Sequence, residues 1–337
     1  MSHRSGISII VPAYNAADTI NRCLEALACQ TVPRESYETI VVDDGSSDET
    51  GARVQAHDGV RFFSQDHAGP ATARNLGAQH ARGDIVLFTD ADCEPAPGWI
   101  EHMIAPFRDA RAVGVKGAYL TRQQEVVPRF VQMEYEDKYD HMAQEEFIDF
   151  IDTYAAGYRR DVLMTSGGFD PTFPVASVED QELSFRLAEQ GYKMVFAPEA
   201  QVYHWGHPRN LWTYWRRKFK IGYWKVKIAR RYPGKLLRDS HTPQILKVQI
   251  LLGGLAGLCL LGGFLWPPLL WGLGVSGALF LLTTAPFACK AWGKDPLAAA
   301  VSPGLLLVRA LALGTGFATG LVTSLVASAR TGDHENA

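Results

Sequence analysis

Two uncharged stretches near the carboxyl end constrain this 337-residue chain more than any other feature. From Val248 to Cys289 there is no charged residue at all, and from Pro296 to Ala329 only Arg309. A helix needs about 20 apolar residues to cross a bilayer, so the first stretch suffices for two spans and the second for one. Pro267-Pro268 divides the first stretch where a tight turn outside the hydrocarbon would fall. The pattern predicts helices over 245–266, 268–289 and 297–328. A soluble bundle of apolar helices is the competing reading, and lengths beyond those of ordinary core helices disfavour it. Gly253-x-x-x-Gly257 and Gly316-x-x-x-Gly320 would let helices approach closely, within the chain or between protomers of a homo-oligomer. Arg309, costly inside a span, is expected to meet a lipid phosphate or to snorkel.

Charge supports the same division. Between Arg216 and Lys247 eleven Lys and Arg face one acid, Asp239, so this block carries +10 and the rest of the chain −13. A basic block directly before a span marks the cytoplasmic side and attracts anionic membrane lipids. Leu211 to Arg231 mixes Trp212, Tyr214, Trp215, Phe219, Tyr223 and Trp224 with Arg and Lys at helical spacing, the composition of a helix lying in the headgroup plane. The expected organisation is thus a domain over 1–210, an interfacial segment over 211–244 and a membrane region over 245–329. No nucleic-acid-binding motif accompanies the basic block, and no nucleic-acid partner is expected. Met1 to Ser8 is too short and polar for a secretory leader, so the first domain is expected in the cytoplasm. Three spans would then leave Lys290 and Lys294 inside and residue 335 outside. The five cysteines show no paired metal spacing and read as reduced thiols.

The first 210 residues read as an α/β domain. Ile7–Val11, Tyr37–Val42 and Ile85–Phe88 are short apolar runs of the kind buried on both faces of a parallel sheet, with helical patterns between them. The third run ends in Asp90 and Asp92. Residues two apart on an extended chain point the same way, at the carboxyl end of the strands where open sheets bind ligands. Two such carboxylates repel each other unless a cation lies between them, and a hard divalent ion with room for phosphate oxygens fits best. Asp43-Asp44-Gly45 ends the second run and reads equally as a ligand-facing turn or as an ordinary turn and helix cap. Arg74, in the first turns of a helix, suits a bound diphosphate better than the helix dipole. Residues 125–152, rich in acids and aromatics, read as a solvated helix pair or lid.

Taken together, Val11-Pro12-Ala13-Tyr14-Asn15, Val41-Val42-Asp43-Asp44-Gly45-Ser46, Ala73-Arg74-Asn75-x-Gly77 and Thr89-Asp90-Ala91-Asp92 resemble the signatures of family 2 glycosyltransferases. Gly167-Gly168-Phe169-Asp170, Val178-Glu179-Asp180-Gln181-Glu182-Leu183 and Ala197-Pro198-Glu199-Ala200-Gln201-Val202-Tyr203-His204 continue that resemblance in order, over roughly residues 6–210. It implies a GT-A nucleotide-sugar-binding domain with a mostly parallel central sheet. It implies that Pro12, Tyr14, Asp43 and Asp44 line the nucleotide pocket, with Arg74 at the diphosphate. Asp90 would contact the ribose or the metal's water shell. Asp92 would ligate Mg²⁺ or Mn²⁺, and His204 would be a further metal contact with His207 as its rival. An ordinary strand-end histidine is as good a reading of His204. Val162–Gly168, including Gly168, would carry donor-sugar contacts. Glu179 would lie on the acceptor side, and Asp180 would be the general base.

The implied reaction is an inverting, metal-dependent transfer from a nucleotide-diphosphate sugar to a hydroxyl of a lipid or lipid-linked acceptor. Processive members carry Gln-x-x-Arg-Trp near the interfacial segment, whereas this chain has Trp215-Arg216-Arg217, and three spans are few for a polymer channel. Two other readings stand beside this one. A polyprenyl-phosphate acceptor would need no base, and Glu179-Asp180 counts against it. A non-catalytic nucleotide-binding membrane scaffold would need neither Asp92 nor Asp180.

Overall fold

Apolar runs separated by short helical segments make the first part of the chain alternate strand with helix. The computed structural model describes residues 6–173, 178–237 and 239–332; residue 335, expected on the far membrane face, lies outside them. β1 (Ile7–Ala13), α1 (Ile20–Ala28), β2 (Tyr37–Asp43), α2 (Thr50–Gln55) and β3 (Val60–Ser64) come first. α3 (Pro70–His80), β4 (Ile85–Phe88), β5 (Cys93–Pro95), α4 (Trp99–Ile104) and β6 (Ala112–Leu120) follow. Then come α5 (Val126–Met142), β7 (Ala156–Arg159), α6 (Arg160–Thr165), α7 (Glu179–Glu189) and β8 (Lys193–His204). The chain continues as α8 (Leu211–Arg231), α9 (Pro233–Leu237), α10 (Gln244–Gly263), α11 (Leu269–Trp292) and α12 (Pro296–Gly332).

The strands form one sheet in the order β3-β2-β1-β4-β7-β6-β8-β5. β3, β2, β1 and β4 are parallel, and the register sets Ala13 beside Asp43 and Ile10 beside Phe88. Their carboxyl ends therefore meet along one edge. The sheet is more mixed than its first half foretells. β7 runs antiparallel to β4 and β6, and β5 antiparallel to β8, while β6 and β8 are parallel. Ile10, Ile40, Val42, Val86 and Phe88 pack under the small residues Ala71, Ala73 and Ala78 of α3 and under Leu183 and Leu187 of α7. Alanine on α3 lets that helix lie close to the sheet, which fixes where its polar residues emerge.

The chain divides into two compact units. The first comprises the residues up to Gln123, Tyr139–His207 and Asp239–His241, and holds the sheet. The second comprises Gln124–Lys138, Pro208–Arg238 and the residues from Thr242 onward. Among the described residues of the second unit, three helices are long and apolar enough to cross a membrane, over Gln244–Gly263, Leu269–Trp292 and Pro296–Val326. The connection between the first two, around Trp266, is exposed, with Leu265 at 91%.

Two expectations about this unit need correction. Residues 126–142 form one helix, not a solvated pair or lid, and Phe130 and Met133 are buried on it. Arg309 is buried and bonded within the protein. Its Nη1 donates to Glu134 Oε1 at 2.9 Å and its Nη2 to Gln249 Oε1 at 2.8 Å. The Glu134 carboxylate also accepts from Tyr214 Oη at 3.0 Å and pairs with Lys218 at 3.0 Å. Burial works to raise the Glu134 pKa, and the Lys218 and Arg309 cations outweigh it, holding the group at about 2. A buried counter-charge on α5 replaces the lipid phosphate.

Candidate active site

β4 ends at Phe88, and the chain turns sharply, presenting Asp90 and Asp92 at the strand's carboxyl edge. Asp90 accepts from Arg74 Nη2 at 3.0 Å, and Arg74 Nη1 donates to Glu179 at 2.9 Å. Glu179 opens α7, so one buried guanidinium ties the end of β4 to the start of α7. Burial works to lower the Arg74 pKa, and the Asp90 and Glu179 carboxylates more than reverse it. Burial also raises the Asp90 pKa, with Arg74 opposing and the neighbouring Asp92 adding to the rise. The diphosphate contact implied for Arg74 would have to share a guanidinium that already bridges two carboxylates.

Asp180 follows in the first turn of α7. The cap position is Val178, which has no cap side chain, and Asp180 Oδ1 accepts from Gln181 N at 2.7 Å. Its carboxyl pKa is pushed well above the usual range by burial, then by Glu179 and Asp152, with Arg74 working against them. Asp152 is paired with the fully buried ammonium of Lys116 on β6, which also donates to Tyr154 Oη at 2.8 Å. Burial lowers the Lys116 pKa and Asp152 opposes the shift. Lys116 was not foreseen from sequence, since a strand lysine ordinarily faces water.

At the other side of Asp90, β5 and β8 pair so that Cys93 lies beside His204. His204 Nε2 comes within 3.3 Å of Asp92 Oδ2, and its Nδ1 lies 3.1 Å from His207 Nδ1. With a proton on His204 Nδ1 donated to His207, Nε2 keeps its lone pair facing Asp92. A Cβ on Gly206 would lie 2.0 Å from Asp92 Oδ2 and 3.1 Å from His204 Nε2, so glycine leaves the space beside both ligand atoms open. A carboxylate and an imidazole beside an open cradle fit a divalent ion that keeps other positions for phosphate oxygens. Cys93 completes a cluster with Asp92 and His204. Burial, then Asp92 and Asp90, raise its thiol pKa, and its soft sulfur suits a hard ion less well than the carboxylate and imidazole beside it.

The ends of β1 and β2 build a second group. Tyr14 is half exposed and stacks on His67, ring centroids 4.2 Å apart at 24°. Asp43 accepts from Ser46 Oγ at 2.5 Å. Asp44 is buried and accepts from Ala68 N and Gly69 N, both at 2.9 Å, and from Gln65 Nε2 at 2.6 Å. It therefore shapes the 65–69 loop that carries His67. Pro12, one residue from the end of β1, lies beside Val42. Gly168 adopts φ +67°. Asn75 clamps the same turn, accepting from Phe169 N and donating to Phe169 O, both at 2.8 Å. His67 and Gly206 were missed in the sequence; the hint for Gly206 was its place between His204 and His207.

Residues 8–167 match the family described as Glycosyl transferase family 2, and residues 147–312 match Glycosyl transferase family group 2. The chain is a family 2 glycosyltransferase. It is 28% identical over 231 residues to glycosyltransferase AglE of Haloferax volcanii, an alignment covering 66% of this chain and 73% of that one. It is 29% identical over 243 residues to the pre-mycofactocin glycosyltransferase of Mycobacterium tuberculosis, covering 69% of this chain and spanning about half (49%) of that relative. The fold of this glycosyltransferase is similar to that of mannosyltransferase PcManGT from Pyrobaculum calidifontis, solved with GDP-Man and Mn²⁺. The TM-score is 0.62 at 20% identity over 95% of this chain and 88% of that one. The mixed sheet is thus a GT-A core, followed in the glycosyltransferase by apolar helices.

Proposed function

We propose that this glycosyltransferase moves a sugar from a nucleotide-diphosphate sugar to a hydroxyl of a lipid or lipid-linked acceptor at the cytoplasmic face of a membrane, with inversion. The observation that carries the reading is the Arg74 bridge. It joins Asp90, next to the metal-competent pair Asp92 and His204, to Glu179, next to the base Asp180. Donor and acceptor chemistry are thereby held on either side of one buried guanidinium.

Tyr14 and His67 offer a stacked face for the nucleotide base, and Asp43 and Asp44 fix the loops around it. Asp92 and His204 would hold Mg²⁺ or Mn²⁺ between them. Such an ion would offset the charge growing on the leaving nucleoside diphosphate. Asp180 removes the acceptor's proton, and its raised pKa brings it closer to the alcohol and to neutral pH, where general bases work best. Mn²⁺ and GDP-Man in the PcManGT complex favour a divalent ion and a nucleotide-sugar donor here too. The apolar helices and the +10 block favour a membrane acceptor.

The test is a screen of nucleotide sugars with native lipid extract and Mn²⁺ or Mg²⁺, reading nucleoside diphosphate release and the mass of the glycosylated lipid. A hydroxyl-linked product supports the reading. A product linked through phosphate would replace it with a polyprenyl-phosphate acceptor.

A further inference from the structure

We infer that α12 does not cross the membrane but lies along its surface beside α8, on an anionic phospholipid headgroup layer, so that the chain crosses the bilayer twice, as the α10–α11 hairpin. Length and composition alone admit α12 as a third span. Its neighbours do not.

The carboxyl half of α12 runs alongside α8, backbone against backbone. A Cβ on Gly316 would lie 2.2 Å from Phe219 O, one on Gly320 would lie 2.5 Å from Tyr223 O, and one on Gly222 would lie 2.3 Å from Leu313 O. Thr323 Oγ1 donates to Tyr223 Oη at 3.2 Å, and Arg230 reaches Ser324 Oγ. Residues 313–324 thus keep step with 219–230, in the same direction. α8 carries eight basic residues and no acid within Leu211–Arg231, and a helix so charged stays out of the hydrocarbon. A helix locked along it lies at the same depth.

The amino half of α12 is flanked in the same way. Leu305, Leu306 and Ala310 pack with Phe130 of α5 and Phe280 of α11, and Ala298 and Ala299 pack with Met133 of α5 and Ala291 of α11. The Gln124–Lys138 segment bears Arg129, Glu134, Glu136, Asp137 and Lys138, and it anchors Lys290, Lys294 and Asp295 before α12 begins. Arg309 is neutralised by Glu134 at the middle of α12. Through Glu134 this node ties α12 to α5 and to Tyr214 and Lys218 of the basic helix α8.

α10 touches α12 through its first half, where Gly314 approaches Ile250 and Gly253 approaches Leu311. Phe264, Leu265 and Trp271, at the far end of the hairpin, are exposed. Half of the apolar window of α12 is buried against protein, compared with 22% for α10 and 17% for α11. Its apolar composition therefore matches a helix that faces protein on one side and the acyl boundary on the other.

The experiment is sidedness of labelling in sealed membrane vesicles, with full-length protein in which the exposed Cys29 and Cys289 are serine. Single cysteines are placed at Trp212, in α8, at Trp266, at the hairpin tip, and at Thr315, Ala318, Thr319 and Val322 of α12. A membrane-impermeant maleimide is added to one side at a time. Were α12 a span entered at Pro296, Ala318 would sit 22 residues on, about 33 Å along the axis, at the opposite face. The inference predicts that at least one α12 position labels from the Trp212 side and none from the Trp266 side. Labelling of any α12 position from the Trp266 side, or protection of all four from both sides, overturns it.

Discussion

The absent side chain of Gly206 shapes the space around Asp92: a Cβ there would sit 2.0 Å from Asp92 Oδ2. Gly206→Ala should therefore displace Asp92 or fill the metal cradle, and abolish metal-dependent turnover while the sheet stays folded. Asp92→Ala should do the same by removing the ligand. Titration of each variant with Mn²⁺, followed by isothermal calorimetry, checks this. Wild-type metal affinity in Gly206→Ala would remove Asp92 from the metal site, as would full wild-type activity in excess chelator.

Asp180→Asn keeps the shape of the side chain but cannot take a proton, and should cut kcat by roughly 10²–10⁴-fold with donor affinity intact. In wild type, kcat/KM should rise with pH along a limb displaced above the ordinary carboxylate range, because the folded pKa is raised. The same shift sets the sign for stability. Protonated Asp180 favours the fold at low pH, and that contribution is lost as pH rises through the raised value. Asp180→Asn should therefore match or exceed the wild-type Tm at pH 7. A drop in both Tm and donor affinity would make Asp180 structural.

Tyr14→Ala removes one ring of the stack with His67. Stacking on a base contributes about 1–3 kcal/mol, so donor Kd should weaken roughly 5- to 150-fold, with Tyr14→Phe near wild type. Fluorescence titration with the nucleoside diphosphate alone reads this directly. An unchanged Kd would place the base elsewhere.

Much of this was legible in the sequence, and what was not has a common cause. Asp90, Asp92 and the parallel strands before them could be read because the alternation of the backbone carries the information locally. Cys93, His204 and His207 around β5 and β8 could not be sorted, since their pairing depends on a strand register set a hundred residues apart. Arg74 was expected at the diphosphate, but Glu179, 105 positions later, shares its guanidinium. For Arg309 the sequence suggests a lipid phosphate or snorkelling, because Glu134 lies 175 positions away, on a helix whose acids read as solvated. Helix length was readable from apolar composition; the depth at which α12 lies depends on which helices flank it.

Glu134→Gln should be the most disruptive isosteric change in the helical unit, leaving Arg309 and Lys218 buried without a carboxylate. Breaking a buried pair of this kind costs about 3–5 kcal/mol. The Glu134 carboxylate, held near 2, stabilises the fold above its ordinary pKa, and the contribution fades as pH falls through the folded value. Thermal unfolding in detergent should show a lower Tm for the variant at pH 7 and convergence with wild type near pH 2. Equal Tm values at pH 7 would contradict the role.

The central claim is that Asp92 with His204 serves the donor while Asp180 serves a hydroxyl acceptor. The most direct test is single-turnover transfer with saturating donor, Mn²⁺ and native lipid extract, comparing wild type with Asp180→Asn. The account predicts a glycosylated lipid linked through oxygen of a hydroxyl, formed roughly 10²–10⁴-fold more slowly by the variant at unchanged donor occupancy. Transfer at the wild-type rate by Asp180→Asn would contradict it.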